Sequence, residues 1–106
     1  MATFYNSSYA EVPDSEVELL QSTSDSTIVL SILVANRDGA SAADITLSHK
    51  DASNVIQNYL GVTISIPPDS NVDLVGNKYI LPSGEKFFLT ASSSGFLDVA
   101  VSYVEV

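Results

Sequence analysis

The residues that could do chemistry in this chain are few, and each also has a plain structural explanation. Asp69-Ser70-Asn71-Val72-Asp73 sets oxygen ligands at alternate positions, as the first half of a calcium loop does, because a hard cation is held by carboxylate and carbonyl oxygens. The pattern then fails, since its sixth position, which needs Gly for the sharp turn, is Leu74, and its twelfth, which needs Glu, is Ile80. These residues read as an acidic, proline-led turn entering a strand, with a divalent cation in some other geometry left open. His49 is followed by Lys50 and Asp51, and among seventeen serines a Ser–His–Asp set can be written down, but no G-x-S-x-G elbow is present. His49 reads as a surface or turn residue at a strand end. Glu16/Glu18 and Asp69/Asp73 offer carboxylate pairs for glycosidase-type chemistry, which needs two carboxyls about 5–9 Å apart in a cleft, but they read as a solvated acidic surface. Asn6-Ser7-Ser8 fits a glycosylation sequon, which matters only in a secreted chain. Tyr5, Tyr9, Tyr59, Tyr79 and Tyr103 could line a sugar-binding face, although alternation puts Tyr103 with the core. The expectation is a chain with no catalytic, cofactor-binding or metal residues, and no enzyme.

Composition narrows the field further. The 106 residues carry 13 Asp+Glu against 4 Lys+Arg, a formal charge of −9, with no Cys, no Trp, one Met and one His. Without cysteine there are no disulfides, thiolate nucleophiles or Cys-based zinc sites. Four scattered cations make no basic stripe, which excludes nucleic acid as a partner. With 45% hydrophobic residues, the chain has enough apolar surface to offset the entropy of ordering. Its length suits one domain, residues 1–106. The first sixteen residues contain neither a basic nor an apolar stretch, so the expectation is a chain without a secretory leader, made in a cytosol. Ile28 to Ala35, interrupted by Ser31, is the longest apolar run and falls far short of the ~20 residues of a spanning helix, so no membrane role is expected.

The elements that would position any site are strands. Ile45 and Leu47 alternate with Thr46 and Ser48; Val62, Ile64 and Ile66 alternate with Thr63 and Ser65; and Leu97, Val99, Val101 and Tyr103 share one face of a final strand. Residues 14–21 contain good helix formers, but Val17 and Leu19 alternate with Glu16 and Glu18, which favours strand. Turn clusters stand between these runs at Asp38-Gly39, 67–71, Gly76-Asn77, Pro82-Ser83-Gly84 and Ser92–Gly95. Strands are expected near 3–10, 16–22, 27–36, 43–50, 55–66 with a break, 71–75, 78–81, 85–91 and 96–105. This is the pattern of an all-β fold: a single antiparallel β-sandwich or jelly roll of about eight short strands.

Two segments break the alternation. Ile28-Val29-Leu30-Ser31-Ile32-Leu33-Val34 and Phe87-Phe88-Leu89 are apolar on both strand faces, so one face packs on the core and something must cover the other. The cover is either the chain itself, through its N-terminal residues or the loop 49–58, or a neighbouring subunit. On the second alternative Val29, Leu33, Phe87 and Phe88, with the C-terminal Val104 and Val106, are the candidate interface residues.

Four stretches carry a resemblance: Ile32–Gly39, a strand running into an Asn-Arg-Asp-Gly turn; Ala43–Leu47; Ile64–Ser70, a strand followed by a Pro-led turn; and Tyr79–Glu85 together with Thr90–Ser92 and Asp98–Glu105. Over residues 27–106 they resemble small virion structural proteins of tailed bacteriophages, especially phages of marine bacteria and cyanobacteria. The resemblance implies a noncatalytic, many-copy particle component without cofactors, made in the host cytoplasm and located in the virion. Its partners would be the major capsid protein or other virion proteins, and further copies of itself. A capsid decoration or cement role comes first; a neck, tail or fibre-associated role and a carbohydrate- or receptor-binding module are the alternatives. Residues 1–25 depart from the resemblance. With five acids and no base they have the composition of a partly extended arm that orders on a partner. The acidity is also lopsided, −6 over residues 1–53 (eight acids, two bases) and −3 over 54–106 (five and two), which would give the domain a side suited to a basic partner.

Overall fold

The computed structural model describes residues 3–106, so the first two residues of the expected arm lie outside the described part. Nine strands form: β1 (Thr3–Tyr9), β2 (Val17–Gln21), β3 (Ser26–Asn36), β4 (Ala43–Lys50), β5 (Ile56–Ile66), β6 (Asn71–Asp73), β7 (Tyr79–Pro82), β8 (Lys86–Ala91) and β9 (Leu97–Glu105). All pairings are antiparallel. One sheet runs β1-β9-β3, with β6 and β7 dividing the far edge of β3 between them; the other runs β2-β8-β4-β5. The expected β-sandwich is the fold found, and the segment 14–21 enters it as a strand.

The core lies between the two inner faces. Alternation supplies it from Val29, Ile32 and Val34 of β3, Ile45 and Leu47 of β4, Phe87 and Leu89 of β8, and Leu97, Val99 and Val101 of β9, all buried. A bulge makes β3 fit. Thr27 and Val29 point inward, then one extra residue between Val29 and Ser31 shifts the register against β9, so that Ile32, Val34 and Asn36 point inward in turn. The break expected in 55–66 is a set of three register shifts against β4, with Thr63 in the left-handed region at φ 47. Gly84 and Gly95 take left-handed φ (79 and 86) in the Pro82-Ser83-Gly84 and Ser92–Gly95 turns read from the sequence.

Residues 3–25 are not an arm. β1 pairs along its whole length with β9, β2 pairs with β8, and Val12 between them is fully buried with its amide bonded to the Leu97 carbonyl. The apolar residues Phe4, Tyr5, Tyr9, Val12, Leu19 and Leu20 outweigh what an acid count alone suggests, because edge strands tolerate charge on their solvent side.

The turn after β3 hangs on one buried side chain. Asn36 Nδ2 donates to the Ser41 and Ile66 carbonyls at 3.0 and 2.9 Å, and its Oδ1 accepts from the Asp38 amide at 2.9 Å. Asp38 in turn accepts from the amides of Ala40 and Ser41. Asn36→Ala removes three hydrogen bonds, the one to the Ile66 carbonyl buried and the other two part-buried, and a loss of about 1–3 kcal/mol is expected in urea denaturation with the slope unchanged.

Candidate functional site

The acidic turn does not assemble a cation site. Asp73 Oδ1 accepts from the backbone amides of Ile32 and Val75, while Asp69, in the left-handed region, packs toward Gly39. Among the described residues no three carboxylate or imidazole groups converge. Four of the eight acids of residues 1–53 are engaged within the chain. Glu11 pairs with Arg37, which also reaches Asp98; Glu16 pairs with Lys50; Asp38 and Asp51 accept from amides of their own turns.

His49 corrects its sequence reading. It is buried in β4, with Nδ1 at 2.8 Å from Tyr79 Oη and Nε2 at 2.6 Å from Glu85 Oε1. With the Nε2 proton directed at the carboxylate, Nδ1 of the neutral ring accepts from the tyrosine hydroxyl. Asn58 Nδ2 also donates to that hydroxyl, at 3.4 Å. The imidazole stands edge-on to Phe87 at 6.0 Å between centroids. Both ring nitrogens are engaged, so no nucleophile is served, and the group instead ties β4 of one sheet to β7 of the other. Nothing local in Ser48-His49-Lys50 signals this, because Tyr79 and Glu85 lie 30 and 36 residues away.

The two-sided apolar segments resolve differently. In β8, Phe87 and Leu89 point inward, and Phe88 points outward beneath Lys50, whose Nζ lies 4.3 Å from the ring centroid and pairs with Glu16. Lys50 thus covers Phe88 itself. In β3, Val29 belongs to the core, so the interface expectation does not hold for Val29 or Phe87, both fully buried inside the sandwich. The opposite face of β3 is open. Cross-strand register aligns Phe4, Val104, Ile28 and Ile80 in one row over four strands, with Phe4 75% and Ile80 58% exposed. Val104 is itself covered by this row, which corrects its reading as an exposed contact. Leu30 and Leu33, 43% and 40% exposed, continue the face, and Val106 stands exposed at the chain end. Beside Leu33 lies a shallow depression of about 250 Å³ lined by Ser8, Ala35, Asp98 and Ala100. Among the described residues, neither the N-terminal segment from Thr3 onward nor the loop 49–58 covers this surface. Between Asp98 and Asp73 at its margins, the described residues of the face are uncharged, an arrangement of apolar centre and polar rim.

The tyrosines form no common platform. Tyr59 lies on the four-stranded sheet, Tyr79 is bound to His49, and Tyr5 and Tyr103 stack on each other across β1 and β9, with centroids 5.4 Å apart and planes 19° from parallel. Burial, then Glu105 and Tyr5, raise the Tyr103 phenol above its ordinary value of 10.0.

No family model matches the chain, and no curated protein is similar to it in sequence. Solved structures do share its fold. The nucleoplasmin-like N-terminal domain of Drosophila FKBP39 aligns with a TM-score of 0.55 at 13% identity, over 100% of this chain and 91% of that one. Two structures of infectious bursal disease virus also align, the T13 viral particle (0.55, 5% identity) and the VP2 subviral particle (0.50, 9% identity), each over 97% of this chain. The chain spans 30% and 32% of those viral chains. At such identities the likeness is one of fold: an antiparallel β-sandwich of a kind found in viral capsid proteins.

Two outcomes follow from these contacts. Tyr79→Phe removes two cross-sheet hydrogen bonds, those with His49 and Asn58, and is expected to lower stability by about 1–2 kcal/mol in chemical denaturation. For Tyr103 the folded state holds its proton to higher pH than the unfolded chain, so the stabilisation is complete below pH 10 and declines as pH rises through the raised folded value. Melting temperatures measured from pH 8 upward should therefore fall less steeply in Tyr103→Phe than in the wild type.

Proposed function

We propose that this chain is a noncatalytic structural component of a virus particle, of the tailed-bacteriophage kind, acting as a decoration or cement protein on the head. The observation that carries the reading is the open, uncharged outer face of the five-stranded sheet in a chain of net charge −9. An apolar sheet face that the chain leaves bare is a surface for another protein. The sandwich likeness to capsid proteins supports a virion setting. Leu33 and Val106 remain interface candidates from the sequence, and Phe4, Leu30 and Ile80 join them. Phe88, beneath Lys50, is a lesser one.

Seated on a shell protein, the face would bury Phe4, Leu30, Leu33 and Ile80, and in such contacts a few residues carry most of the binding energy. The charge outside the face stays in water and keeps unbound copies soluble.

Purified protein added to phage heads that lack it should rebind in many copies per particle, counted by quantitative gel densitometry and cryo-electron microscopy. Leu33→Asp and Ile80→Asp should each weaken rebinding by about 30-fold or more while leaving the melting temperature within a few degrees. Binding of a few copies at one vertex would place the protein in the neck or tail; no binding at all would defeat the decoration role.

A further inference from the structure

The sandwich has four open edges, and three of them are guarded. An edge strand presents unpaired N–H and C=O groups that can template another strand, and proteins block this with charge, bulges, proline or short length. β2 is flanked by Glu16, carries Glu18, and is bulged between Glu18 and Leu20. β5 carries three register shifts. The far edge of the five-stranded sheet is divided between a strand of three residues, β6, and one of four, β7, which ends at Pro82. β1 has none of these devices. Its seven residues, Thr-Phe-Tyr-Asn-Ser-Ser-Tyr, include no charge, no proline and no glycine, and they pair with β9 in seven consecutive steps without a bulge. Among the described residues its backbone bonds to no other segment.

We infer that β1 is a self-association edge: two copies of this chain pair β1 with β1 antiparallel about a two-fold axis centred on Asn6. Charge selects a second copy as the occupant. Two chains of −9 repel wherever carboxylates face each other, and β1 lets them meet along a neutral strand. Register selects the centre, because pairing about Asn6 uses all seven residues and keeps inward side chains facing inward. It also sets large against small. Phe4 meets Ser8 of the other copy on the outer face, Tyr5 meets Ser7 and Thr3 meets Tyr9 on the inner side, and Asn6 meets its own equivalent. A two-fold contact of this kind closes on itself, so it yields a dimer and not a fibre. The two five-stranded sheets become one ten-stranded sheet, and their two outer faces become one continuous apolar surface.

This inference rests on the geometry of the edge and goes beyond the virion reading. Sedimentation equilibrium of the full chain should show a concentration-dependent species of twice the 11.3 kDa monomer. Asn6 is exposed, so Asn6→Asp and Asn6→Lys leave the fold intact, as melting curves will report, while setting like charges directly opposite across the axis. Each variant alone should be monomeric, including the lysine variant, whose net charge is smaller in magnitude than that of the wild type. An equimolar mixture of the two should recover the dimer. Hydrogen exchange gives a second reading: alternate β1 amides, those directed away from β9, exchange slowly in the wild type and fast in either variant. A monomeric wild type, single variants that stay dimeric, a mixture that stays monomeric, or unprotected outward amides in the dimer would each overturn the proposal. A monomer that still coats heads would leave the decoration role standing, and a dimer that ignores heads would leave the edge standing.

Discussion

The molecule is organised around β3, which must satisfy two faces and three neighbours at once. It pairs with β9 on one side and with β6 and β7 on the other. Thr27 and Val29 occupy the inner face at odd positions, Ile32, Val34 and Asn36 at even ones, and the bulge between Val29 and Ser31 is what reconciles them. Without that extra residue, strict period-two alternation would turn half of this strand's core set toward water. The same bulge places Ile28, Leu30 and Leu33 together on the outer face. Core and exposed surface therefore have a common origin.

Polar groups are used to close the sandwich at its ends. Asn36 ties the turn after β3 to Ile66 at the end of β5, while His49, Tyr79 and Glu85 join β4, β7 and the approach to β8. No buried side-chain polar atom among the described residues lacks a partner, as a low-dielectric interior requires. Charges follow the same economy. Arg37 bridges Glu11 and Asp98 across the two ends of the chain, and Lys50 both pairs with Glu16 and shields Phe88. Part of the acidity of the first half of the sequence is taken up in turns and ion pairs, through Glu11, Glu16, Asp38 and Asp51.

The strands were legible because alternation is local: Ile45/Leu47 and Leu97/Val99/Val101 each declare a buried face within five residues, whereas the alternation of Val62, Ile64 and Ile66 marks a strand but not its buried face, since Val62 and Ile64 stand exposed. The apolarity of both faces of β3 and β8 was legible too. What covers them was not, since Lys50 over Phe88 joins residues 38 apart and the open face of β3 draws Phe4 and Ile80 from opposite ends of the chain. His49 looked like a surface residue for the same reason. Its partners enter only through the packing of one sheet on the other.

By itself the sequence determined the class of fold, the turns, and the absence of thiol chemistry in this chain, since these depend on composition and short-range periodicity. Only the tertiary structure decided that Thr3–Tyr9 and Val17–Gln21 belong to the sheets, that Val29 and Phe87 are core while Leu33 faces outward, and that β1 is an unguarded edge. Those properties depend on register and strand order, which arise from contacts between residues far apart in the chain and leave no trace in any single window of it.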